Sequence, residues 1–195
     1  MARRGGGIFI GEGAQAVMHD SAVIRNNIAT WGSGVYLNHT SSVFIMDGGT
    51  ITGNTAETSG TIYLREGSAE LNGGQINNNA ARFAGGAYID WSARLVMRNT
   101  AEMRGNNAGY GSAIYLNRAE SLFIMEGGII TENRAEISGA VYIRTGNVEF
   151  NGGLISNNIA AESGGGVYQR LNDTFINNGG TIQDNSPDDV FIEMP

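Results

Sequence analysis

The stretch GVYLNHTSSVFIMDGGTITGNTA, residues 34–56, decides the fold, because its three short apolar runs return along nearly the whole chain. In Val35-Tyr36-Leu37 the alternation places Val35 and Leu37 on one face of a strand and Tyr36 on the other. Val43-Phe44-Ile45-Met46 reads as a second strand. Its counterparts carry Glu70 and Glu149 where Ile45 stands, so that position faces water and Phe44 and Met46 face inward. Thr50-Ile51-Thr52 is a third strand with Ile51 alone inside. The pair Gly48-Gly49 between the second and third supplies a corner where positive φ is cheap, and pairs recur at 73–74, 127–128, 152–153 and 179–180.

Working outward, an aromatic recurs at Phe9, Tyr36, Tyr63, Tyr88, Tyr115, Tyr142, Tyr168 and Phe191, at intervals of 23–27 residues. Asparagine recurs at Asn27, Asn54, Asn79, Asn106, Asn133, Asn158 and Asn185, with an isoleucine (or Met103) three residues before each. Residues 31–90 also align with 110–169 at an offset of 79, which reads as duplication of a three-rung block. No segment keeps a 3.6-residue period for ten residues, so αα and βαβ units do not fit. The expected architecture is all-β: a single-stranded right-handed parallel β-helix, a solenoid of about seven rungs of 25–27 residues. Its hand follows from the handedness of parallel crossovers. Each rung reads as three strands with two tight corners and one longer one. Residues 1–4 are set apart as a leader, 5–192 form one β-helix domain, and 193–195 are a tail.

Columns of equivalent residues suggest roles. The asparagines read as a structural ladder, each amide donating to one neighbouring rung and accepting from the other. Tyr36, Tyr63, Tyr88, Tyr115, Tyr142 and Tyr168 should stand outside the core, one above another, as an exposed aromatic stripe. Such a stripe either stacks on itself or offers a flat strip to sugar rings or a partner chain. Asn38, Arg65, Asp90, Asn117, Arg144 and Arg170, two residues further on, should share that face. At the longer corner a second column is expected from Trp31, Thr58, Phe83, Tyr110, Ile137 and Glu162. Trp31, Phe83 and Tyr110 join the tyrosines as candidate binding residues, unless they fold over the edge of the core.

Composition narrows the function. The chain of 195 residues has a net charge of −7, which disfavours a nucleic-acid surface. It has no cysteine, hence no disulfide, thiolate metal site or Cys nucleophile. It also has no lysine: all twelve basic residues are arginine, which removes a P-loop lysine, Schiff-base chemistry and the Arg-x-Lys element of pectin hydrolases. The one adjacent carboxylate pair, Asp188-Asp189, reads as a charged cap, and His19 and His39 sit at different rung positions. No enzyme activity, catalytic residue, metal or cofactor is therefore expected. No apolar run approaches the 18 residues of a membrane span, so no membrane insertion is expected. Asn38-His39-Thr40 and Asn172-Asp173-Thr174 match the glycosylation sequon, a frequent chance match. Open β-helix ends leave strand edges that invite end-to-end self-association.

The phrases Phe44 to Ala56 and Phe123 to Ala135 resemble repeats in very large surface-anchored proteins of Gram-positive gut bacteria. Gly85-Gly86-Ala87-Tyr88 and Gly165-Gly166-Val167-Tyr168 are similar to the Gly-Gly-Ala-Ile motif of chlamydial polymorphic outer-membrane autotransporters, whose Phe-x-x-Asn element is mostly Ile-x-x-Asn here. The resemblance implies an extracellular or cell-surface passenger or stalk within a longer exported protein. It further implies adhesion to glycans or host proteins as the role, with a purely structural spacer as the alternative.

Overall fold

The computed structural model describes residues 2–171 and 173–194, and every regular element within them is a β-strand. Asn172 of the second sequon, and Met1 and Pro195 at the ends of the leader and tail, lie outside the described residues. The strands stack in parallel as a β-solenoid of about seven turns. Tyr-type strands run from Ile8–Ile10 to Val190–Ile192 in one eight-stranded sheet. Register is strict within it: Tyr36 pairs with Tyr63, Tyr63 with Tyr88, and Tyr88 with Tyr115.

Each rung has four strands where the sequence suggests three. Val35–Leu37, Val43–Met46 and Thr50–Thr52 are followed by Thr55–Ser59. Equivalents of the last, such as Ala80–Phe83 and Asn107–Tyr110, build a seven-stranded sheet along what was expected to be a long corner. This strand lacks the usual signature because it contributes a single small apolar residue per rung to the interior, such as Ala29, Ala56 or Ala108. Ala2–Arg4, set apart above as a leader, is the first strand of that sheet, with Ala2 in register with Ala29. In two rungs, Leu122–Thr131 and Asn147–Ser156, the second and third strands run on without a break. They join both ladders into one twelve-stranded sheet.

The core is built of like on like. Val35, Leu37, Phe44, Met46 and Ile51 are fully buried and stack on their equivalents above and below. Outward positions behave as the glutamates indicate, with one qualification. Val96 and Ile124 face outward yet are buried, because Arg98 reaches across that face to Glu70 at 3.1 Å and Glu126 at 2.6 Å. The arginine stem shields apolar surface while its head stays paired.

The asparagine ladder forms as expected. Each backbone N–H and each Nδ2–H donates to Oδ1 of the asparagine one rung on, at 2.9–3.1 Å from Asn27 through to Asn185. From Asn54 onward, Nδ2 also donates to the main-chain carbonyl of Ile24, Ile51, Ile76, Met103, Ile130 or Ile155 on the preceding rung. Asp189 Oδ1 accepts the last two donors, at 3.0 and 2.9 Å from Asn185. The residue before each ladder asparagine (Asn26, Gly53, Asn78, Gly105, Glu132, Asn157, Asp184) turns the corner with φ of 52–63°.

Candidate binding cleft on the aromatic flank

The tyrosines stack as one uninterrupted column. From Phe9 to Phe191 neighbouring ring centroids are 5.0–5.5 Å apart and the planes are within 19° of parallel. They stand outside the main core, as alternation requires, and form a second apolar cluster of their own. The stripe is not, however, exposed: Tyr36, Tyr88, Tyr115 and Tyr142 keep 3–9% of their surface, and Tyr63 and Tyr168 are half-buried. Alternation reports which side of a sheet a residue takes, and the neighbouring columns then decide whether water reaches it.

Two columns do the covering. On one side the residues two positions after each tyrosine form a hydrogen-bonded chain. Arg65 donates to Asn38 at 3.3 Å, Asn117 to Asp90 at 2.9 Å, and Arg144 to Asn117 at 2.8 Å. Tyr63 donates its hydroxyl to Asp90 at 2.7 Å, and Tyr168 donates to Glu193 at 3.1 Å. On the other side Phe83 and Tyr110 stack on each other at 5.8 Å and set their edges on Tyr115 and Tyr142, each at 5.3 Å. These corner aromatics thus fold over the ladder and remain half-buried.

The corner column differs from the expected one. Trp31 pairs with Ser59, Ser59 with Phe83, Phe83 with Tyr110, and Tyr110 with Ser138, which bridges to Ser163. Thr58, Ile137 and Glu162 fall one place out. Thr55–Ser59 and Arg134–Ser138 each contain one more residue than Ala80–Phe83, and the register shifts there. Trp31 is accordingly separated from Phe83 by a serine, and its ring lies under the guanidinium groups of Arg3 and Arg4, at 5.5 and 5.9 Å.

Beside the stacked pair Phe83 and Tyr110 a cleft of about 330 Å³ opens. Phe83, Tyr110, Tyr115 and Tyr142 line it, together with Arg82, Arg144 and Arg170. Of the sequence candidates, the structure brings Phe83, Tyr110, Tyr115 and Tyr142 together here. Trp31, Tyr36, Tyr63, Tyr88 and Tyr168 lie outside the lining. Arg82, next to Phe83 in the strand Ala80–Phe83, was not foreseen, because it belongs to neither of the columns read from the repeat. Arg170 sits 3.4 Å from Glu193. Arg82 and Arg144 have no carboxylate within ion-pair distance among the described residues. The Arg82 guanidinium lies over the Phe83 ring at 5.2 Å.

Burial pushes the phenol pKa of Tyr63, Tyr88, Tyr115 and Tyr142 up, and the Asp90 carboxylate adds to the rise at Tyr63 and Tyr88. Tyr115 rises to about 12, its burial opposed by the Arg144 and Arg170 guanidiniums. A phenol whose folded pKa lies above its unfolded value of about 10 stabilises the fold fully below that pH. The contribution is lost as pH climbs from about 10 toward the raised values. The protein is therefore expected to hold its structure to about pH 10 and lose it cooperatively above, with phenolate absorbance rising in the same step. A phenolate titration centred on the free-tyrosine value, with the circular dichroism unchanged, would contradict the packed ladder.

Chemically the cleft offers aromatic faces, phenol hydroxyls and guanidinium donors, a set suited to binding. Among the described residues no three of His, Asp or Glu gather in a metal-holding group. The chain matches no family model, no curated protein and no solved structure.

Proposed function

We propose that this chain is a rigid, non-enzymatic β-helical module of a bacterial cell-surface protein that binds glycans at the cleft beside the tyrosine column. The observation that carries the reading is a concave site on the flank of the shaft lined by four aromatic rings, Phe83, Tyr110, Tyr115 and Tyr142. Sugar rings present an apolar C–H face and a rim of hydroxyls, and half-buried Phe83 and Tyr110 beside the phenols of Tyr115 and Tyr142 complement both. The resemblance of the Phe44–Ala56 and Phe123–Ala135 phrases to surface-protein repeats supports the location. The regular ladders suit a shaft that holds such a site away from a cell wall.

The second reading is a plain spacer, favoured by how much of the surface is spent on rung-to-rung bonding. A glycan-array screen of the folded chain beside Tyr110→Ala separates the two. Tyr110 is half-buried and lines the cleft, so its loss should weaken binding roughly tenfold or more in protein that circular dichroism shows still folded, with the thermal midpoint lowered by the lost packing on Phe83 and Tyr142. An array blank for the unmodified chain favours the spacer.

A further inference from the structure

We propose that the cleft selects an acidic saccharide, with the sugar carboxylate received between Arg82 and Arg144; this rests on the glycan-binding reading and names its ligand class. Among the described residues Arg98, Arg104, Arg118 and Arg170 lie within ion-pair distance of a carboxylate, and Arg82 and Arg144 do not. Arg98 stands between Glu70 and Glu126, Arg104 against Glu132, and Arg118 against Asp90. The cleft differs in gathering three guanidiniums, Arg82, Arg144 and Arg170, in one aromatic-lined concavity. None of the lining residues is acidic, and two of its three guanidiniums have no carboxylate partner among the described residues.

These two are also held in place. Arg144 Nη1 donates to Asn117 Oδ1 at 2.8 Å and the guanidinium also faces the Tyr115 hydroxyl, which holds it in place while part of its donor fork stays available to a ligand. The Arg82 guanidinium lies over the Phe83 ring at 5.2 Å, a cation–π contact that keeps its charge beside the aromatic wall. A pyranose ring against Phe83 and Tyr110 would bring a ring carboxylate toward both guanidiniums. Charge-assisted bonds of that kind are shorter and stronger than those a neutral hydroxyl makes. A neutral sugar keeps the ring contact and leaves the two cations unanswered. A single-stranded nucleic acid also brings anions, but it needs a basic track along its backbone, and this chain is net acidic outside the cleft.

The test is titration calorimetry of the whole chain with an oligogalacturonate, an oligomannuronate and a sialyllactose, each beside its carboxyl methyl ester. The ester keeps the ring and removes the charge. At least one acid is expected to bind about tenfold more tightly than its ester, and to weaken as salt is raised. Arg82→Gln with Arg144→Gln should abolish that preference without moving the thermal midpoint, while Arg104→Gln, in another sheet, should leave it intact. Equal binding of acid and ester overturns the acidic-ligand proposal and leaves the glycan reading standing. No binding by any of the six overturns the proposal, and with a blank array the glycan reading falls too. Displacement of the acids by a single-stranded oligonucleotide at equal concentration also overturns it, since the cleft would then be a general anion surface.

Discussion

Asn106→Asp is expected to destabilise the protein at neutral pH by about 4 kcal/mol or more, well beyond Asn106→Ala at about 2–4 kcal/mol. The side chain is fully buried, and each of its atoms has an assigned partner. Oδ1 accepts from the backbone N–H and Nδ2 of Asn79 at 3.1 Å each. Nδ2 donates to Ile76 O at 2.8 Å and Asn133 Oδ1 at 3.0 Å. Alanine removes these and leaves the Asn79 N–H buried without an acceptor. Aspartate keeps the acceptor but turns the donor into a second carboxylate oxygen, facing two oxygens in a site closed to water. Burial and those facing acceptors must raise the carboxyl pKa of the variant above its unfolded value. The penalty relative to the unmodified protein is then small below the unfolded carboxylate pKa and grows as pH rises toward the folded one. Urea denaturation of the three proteins at pH 4 and pH 7 reads this out. If the aspartate variant tracks the unmodified chain at both, the ladder does not have the bonding described.

Why was so much of this legible from residues alone? A solenoid prints each structural position seven times, so a column can be read where a single residue could not. Glu70 and Glu149 settle the facing of the second strand, and the spacing of Ile76 and Asn79 places one inside and the other on the corner. What stayed hidden depends on relations between columns. The fourth strand contributes only Ala29, Ala56 and their equivalents to the interior, too little apolar alternation to distinguish strand from corner. Ile137 seemed to continue Phe83 and Tyr110 because equal spacing from the repeat alanine ignores the extra residue in Arg134–Ser138. The tyrosines stand on the expected side of the sheet, but their cover comes from Phe83 and Tyr110 on other strands and from the Asp90–Asn117–Arg144 chain that closes over the strand ends. The cleft belongs to this class of feature, since it needs Arg82, Phe83 and Tyr110 of one sheet to meet Tyr115, Tyr142 and Arg144 of another face.

The glycine pairs carry a sharper expectation than their repetition suggests, because the two members of a pair are not equivalent. Gly128→Ala should cost about 3 kcal/mol and Gly127→Ala about 1 kcal/mol. Gly49, Gly74, Gly128 and Gly153, the second members, take φ of 81–98°, where a side chain is strained. The first members are absent from the positive-φ set in these four corners. Space points the same way. A Cβ on Gly128 would stand 2.5 Å from the carbonyl oxygen of Ala101 and 2.9 Å from the Met97 methyl, while on Gly127 the nearest atom, Asn99 N, is 3.0 Å away. The methionine methyl repeats as well: Met18, Met46, Met97 and Met125 each lie over the second glycine of the following rung. It is tempting to regard that methyl as the reason for glycine, and adding Met97→Ala to Gly128→Ala tests it. A flexible thioether can yield, whereas the Ala101 carbonyl is fixed in the sheet and the φ angle is fixed by the corner. The second substitution should therefore give no rescue, only its own cavity cost of about 2 kcal/mol or more on top. Recovery of stability in the double variant would mean that side-chain packing, rather than the backbone, demands glycine at the corner.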